Sequence, residues 1–65
     1  MIQFDEMIHE YLNNNRRAEV GVTRDGSFGI RMWENNVFKR DELYEGKSET
    51  WAENAAENYV FGVKN

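Results

Sequence analysis

Sixty-five residues with a net charge of −4 allow one small domain with one core, and they exclude indiscriminate binding to nucleic acid or anionic membrane, both of which repel an acidic chain at long range. The absence of cysteine rules out disulfides, thiolate zinc sites and cysteine nucleophiles, and the single histidine, His9, rules out a multi-histidine metal centre. A chain this short buries only about 60% of the surface its unfolded form exposes, so the nine aromatic residues must supply much of the burial.

The first segment places Phe4, Met7, Ile8, Tyr11 and Leu12 at the i, i+3, i+4, i+7, i+8 spacing of a helix with one apolar stripe. Asp5, Glu6, His9 and Glu10 then fall on its solvated side, and Asn13-Asn14-Asn15 ends it, asparagine being tolerant of turn and left-handed conformations. After it the period changes to two. Ala18, Val20 and Val22 share one face of a strand, and Phe28, Ile30 and Met32 one face of the next. Asp25-Gly26 in the link is a hairpin signal. A two-residue loop would set the two apolar faces on opposite sides of the sheet. A three-residue loop, Arg24-Asp25-Gly26, pairs Val22 with Phe28, Val20 with Ile30, Ala18 with Met32 and Glu19 with Arg31, and puts glycine where a left-handed residue is needed.

Asn35-Asn36 marks a second turn, into a strand over Val37–Tyr44. With a two-residue loop Trp33 meets Phe38 while Lys39 and Asp41 point inward; with a three-residue loop Met32 meets Phe38 and Ile30 meets Arg40. An edge strand rich in charge accommodates either. A final helix follows, with Ser48 as N-cap or Thr50 and Glu53 as a capping box. Its apolar side is Trp51, Ala52, Ala55, Ala56, Tyr59, Val60 and Val63, with Trp51 and Tyr59 filling the ends, and Gly62 marks its termination. The expected fold is α+β, α-β-β-β-α, with both helices on one face of a three-stranded antiparallel sheet in a single domain, 1–65. Charge is segregated along it: −3 over residues 1–12, +3 over 13–40 and −4 over 41–65.

No G-x-S-x-G, P-loop, H-E-x-x-H or dinucleotide-binding glycine pattern occurs. Ser27 and Ser48 have turn and cap roles, and Asp41 and Glu42 lack the ligand spacing of a calcium loop. An enzyme, a cofactor and a metal are therefore not expected. Two surfaces remain. Glu49, Glu53 and Glu57, with Glu45 four residues earlier, repeat about every 6 Å along a helix; like charges at this spacing cost helix stability, and the row has the character of an acidic stripe able to occupy a basic nucleic-acid-binding groove on another protein. The bare sheet face would carry Arg17, Glu19, Thr23, Arg31, Trp33 and, in one register, Phe38 and Arg40, the materials of a base-stacking platform or a protein-binding patch.

The element order, with Gly46-Lys47-Ser48 leading into Trp51-Ala52-Glu53-Asn54-Ala55-Ala56, resembles the double-stranded RNA-binding domain. That family grips phosphates with lysines at the start of its last helix. The matching positions here are Glu49, Thr50 and Glu53, so the resemblance implies the topology without the RNA grip. The leading expectation is a non-enzymatic acidic interaction module, such as a small phage-type inhibitor that blocks a basic site on a nucleic-acid-handling protein. The alternatives are a single-stranded nucleic-acid binder using the arginine–tryptophan face, and a structural homodimer. With no cysteine, no span of 18 apolar residues and no basic-then-apolar leader, the expected setting is cytoplasmic.

Overall fold

The computed structural model describes residues 1–62 of the chain. Four strands, β1 (Glu6–Asn13), β2 (Arg16–Val22), β3 (Phe28–Glu34) and β4 (Val37–Tyr44), precede one helix, α1 (Glu49–Phe61). The strands form an antiparallel sheet in the order β1-β2-β3-β4, and α1 packs across β1, β2 and β3 on one face. No helix among the described residues is long and apolar enough to cross a membrane.

The first element is therefore a strand and the sheet has four strands with one helix, which overturns the α-β-β-β-α expectation and removes the topology on which the resemblance to the double-stranded RNA-binding domain stood. The cause is a β-bulge. Met7 pairs with Gly21 and His9 with Val20, which leaves Ile8 as an extra residue. An inserted residue resets the two-residue alternation. Met7 thus lies over the outer face while Ile8 and Tyr11 pack against the core. The reset sets Ile8 and Tyr11 three apart on the core face, and with Phe4, Met7 and Leu12 on the outer side the apolar residues of both faces together imitate helical spacing. The asparagines after it close a hairpin instead, with Asn14 at φ 55° between the paired Asn13 and Arg16.

The β2–β3 hairpin has the expected register, Val22 with Phe28 through Ala18 with Met32. Gly26 sits at φ 89°, its N–H donating to Thr23 O and that of Thr23 to Ser27 O. Asn35 and Asn36, at φ 54° and 64°, make the two-residue turn whose twist suits a hairpin, so Trp33 meets Phe38. A second bulge, at Lys39, then brings Arg40 opposite Met32 and Asp41 opposite Arg31. Without it Arg31 would face Arg40, and Lys39 and Asp41 would be turned toward the core. The bulge replaces a like-charge pair with an Arg31–Asp41 ion pair on the outer face, and Arg40 and Glu42 take the helix-side positions opposite Met32 and Ile30.

Ala18, Val20, Ile30 and Met32 of the sheet and Ala52, Ala56 and Val60 of the helix are the buried core. The helical set recurs every four residues, and its two alanines let the axis lie close to the strands. Tyr59 packs at one end as expected and donates its hydroxyl to Trp33 O at 3.0 Å. Trp51 does not fill the other end. It is 51% exposed, with the Lys47 ammonium 4.5 Å above its ring. Val63 lies outside the described residues.

Of the two helix starts, Ser48 is the cap, its Oγ accepting from Trp51 N–H at 3.2 Å. At the far end Gly62 adopts φ 67° and donates to Asn58 O, while Arg16 Nη1 and Asn13 Nδ2 donate to Tyr59 O and Val60 O at 2.9 and 3.0 Å. A guanidinium there also answers the negative end of the helix dipole. Replacing Ser48 with alanine orphans a helical N–H. It is expected to cost about 1 kcal/mol and to lower the unfolding midpoint by about 4–8 °C in a thermal melt followed by circular dichroism.

Candidate functional site

The helical acidic row forms beside the β1 edge. Glu49, Glu53 and Glu57 follow one another on α1, and the β1 bulge turns His9 toward the first two. Its Nε2 lies 2.9 Å from Glu49 Oε2 and 2.8 Å from Glu53 Oε2. The hydrogen bond from His9, then one shared with Glu53, holds the Glu49 carboxyl below its ordinary value. Tyr11 stands alongside; partial burial, and after it the charges of Glu53, Glu57 and Glu49, push its phenol up. No lysine or arginine among the described residues forms an ion pair with any of the three glutamates. Glu45 does not join the row. It lies in the turn closed by Lys47 N–H donating to Tyr44 O, before the helix begins. His9 is the member that sequence spacing missed, since a helical first segment puts it on a solvated face and the nearer of its partners in sequence, Glu49, is 40 residues away.

The outer sheet face gathers Arg17, Glu19, Arg31, Trp33 and Phe38, as the register requires. Arg40 is not among them; the Lys39 bulge carries it to the helix side, opposite Met32. The arginines that remain are engaged. Arg17 lies 3.6 Å above the centre of the Trp33 ring and reaches Glu10 and Glu19, each at 3.4 Å. Although Glu19 is directly opposite Arg31, Arg31 turns to Asp41, at 2.8 and 3.2 Å, and donates to Ile2 O at 2.7 Å. Ile2 N–H in turn donates to Asp41 Oδ2 at 2.7 Å.

The residues before β1 thus cross this face, and Phe4 lies in the notch left by the paired Gly21 and Gly29. A stacking base would first have to displace Arg17 from Trp33. Leu12 and Phe38 are the exposed apolar remainder at that end, 64% and 39% accessible.

On the helix side, α1 leaves the β4 edge of the sheet open, and a groove runs between Tyr44 and Tyr59. Its polar groups answer one another. Glu42 accepts from Arg40 Nε at 2.9 Å and from the Tyr44 hydroxyl at 2.6 Å. The Tyr44 bond, ahead of the Arg40 bond and charge, overcomes burial and lowers the Glu42 carboxyl, while burial and then Glu42 push the Tyr44 phenol up. The two serines are structural: Ser27 N–H donates to Thr23 Oγ1 at 3.1 Å, and Ser48 caps the helix.

Comparison with protein-family models, with curated proteins and with solved structures finds no match to this chain. What the fold and its surfaces define is a small α+β domain, a four-stranded antiparallel sheet covered on one face by one helix, with an acidic flank where that helix meets the β1 edge.

Proposed function

We propose that the protein is a non-enzymatic interaction module, cytoplasmic in setting, whose acidic flank occupies a basic nucleic-acid-binding surface on a partner protein, in the manner of a small phage-type inhibitor or modulator. One observation carries the reading: Glu49, Glu53 and Glu57 form a row with no lysine or arginine paired to it among the described residues. Carboxylates one helical turn apart repeat about every 6 Å, a spacing at which a groove built for a phosphate backbone meets successive negative charges. A net charge of −4 steers such a domain toward a basic partner. The competing single-strand-binding reading needs a free aromatic platform, and Arg17 already stacks on Trp33.

Capture on the immobilised protein from nuclease-treated cell extract tests this. The expected catch is a protein that itself binds nucleic acid, is released by high salt or by a competing duplex oligonucleotide, and is lost with Glu49/Glu53/Glu57→Gln. These side chains are outside the core, so the triple variant is expected to keep its melting curve. Direct retardation of a single-stranded oligonucleotide, abolished by Trp33→Ala, would overturn the proposal in favour of the sheet face.

A further inference from the structure

His9, Glu49 and Glu53 bring one imidazole nitrogen and two carboxylate oxygens within 4.8 Å of one another. We propose that these three side chains form a binding site for a zinc-class divalent cation. The ligand chemistry selects the class: a nitrogen donor with two carboxylates suits zinc and its first-row neighbours, whereas calcium and magnesium require oxygen throughout. Spacing fits as well. Bonds of about 2.0–2.2 Å in a tetrahedral shell hold ligand atoms roughly 3.3 Å apart, and His9 Nε2 is already 2.9 and 2.8 Å from the two oxygens. Closing a metal shell opens those two separations by about half an ångström and brings the two carboxylate oxygens, within 4.8 Å of each other, to the same spacing.

The backbones that carry the ligands are fixed. Glu49 and Glu53 are one turn apart on α1, whose Ala52 and Ala56 are fully buried, and β1 is paired to β2, whose Ala18 and Val20 are fully buried. Three protein ligands on partly exposed side chains leave a further position for water, the arrangement of an open site.

Charge supplies the driving force. A single imidazole N–H is shared by two carboxylates with no lysine or arginine paired to either among the described residues. Even an imidazolium offsets one of the two negative charges, whereas a divalent ion offsets both. A single histidine excludes a multi-histidine centre; the strand placement of His9 is what brings a mixed ligand set together.

The test is titration of the full chain with zinc chloride by calorimetry, alongside imidazole NMR. As the chain's only histidine, His9 gives unambiguous ring signals, so wild-type protein alone reports the ligand. Expected are saturable binding of about one ion per chain, ring shifts of His9 on saturation, and no displacement by excess magnesium. His9→Gln and Glu53→Gln should each weaken binding by at least about tenfold, and Glu57→Gln should leave it unchanged. No saturable binding, unshifted His9 signals, or affinity retained in His9→Gln would each overturn the site. Zinc binding is read without a partner, and partner capture is repeated in chelator, so either proposal can fail without the other.

Discussion

Replacing Gly29 with alanine is expected to lower the thermal unfolding midpoint by about 10–20 °C, the size of an overpacking penalty of about 2–3 kcal/mol in a domain of this length. Intrinsic preference points the other way, since alanine in a strand interior is normally better than glycine by about 0.5–1 kcal/mol. The clash decides the sign. A Cβ at Gly29 would run into the backbone carbonyl oxygen of Glu42 on β4, with Phe4 ring atoms at 3.1 Å. A carbonyl in a sheet has no rotamer to escape to, so β3 and β4 must separate.

Gly21, its cross-strand partner, provides the control. A Cβ there meets the Phe4 ring at 2.6 Å and Met7 Sδ at 2.8 Å, both side-chain atoms that can swing aside. Gly21→Ala should therefore cost less in a Phe4→Ala background than in wild type, while Gly29→Ala should cost nearly the same in both. Urea unfolding of the four combinations measures the two couplings. Full rescue of Gly29→Ala by Phe4→Ala would mean that the ring and not the strand is the obstacle.

Asp41→Asn is expected to be the most damaging change of a charged residue, at about 2–3 kcal/mol. The Asp41 side chain is 4% exposed and that of Arg31 18%, so removing the carboxylate strands a largely dehydrated guanidinium, the situation in which breaking a buried pair costs most. It also weakens the anchor of Ile2 across the outer face. The exposed Arg40–Glu42 pair is the contrast, and Arg40→Gln should change stability by less than about 1 kcal/mol.

The pH dependence has a definite sign. Burial by itself would raise the Asp41 carboxyl, but the bonds from Arg31 and Ile2 and the Arg31 charge outweigh it and hold the group below its ordinary value. A depressed carboxylate contributes stability that is complete above its unfolded-state pKa of about 3.9 and is lost as pH falls through the lower folded-state value. The melting curves of wild type and Asp41→Asn should therefore be far apart at neutral pH and converge in strong acid. A gap that persists undiminished there would assign the loss to packing and not to charge.

Both predictions rest on parts of the sheet that were unevenly legible. The β2–β3 pairing could be read in full, because Asp25-Gly26 and two alternating apolar faces leave one loop length that puts both faces on the same side. The position of β4 was legible from Asn35-Asn36, its register only in part. Trp33 with Phe38 follows from the turn, but the Lys39 bulge depends on which charge ends up opposite Arg31. The helix was legible from its cap, its four-residue apolar repeat and Gly62. The acidic row at Glu49, Glu53 and Glu57 came with it, and Glu45 fell away because the cap sits at Ser48.

Turns, caps, alternation and helical spacing are interactions among residues a few positions apart, so they are written in the chain and were recoverable from it. The identity of β1, the face taken by Arg40, the Arg31–Asp41–Ile2 cluster and the meeting of His9 with Glu49 and Glu53 depend on contacts between separate elements, the longest of them joining His9 to Glu53. An inserted residue in a strand mimics helical periodicity locally, and only hydrogen bonding to β2 and burial beneath α1 choose between the two. One misread bulge therefore hid the histidine beside the acidic row.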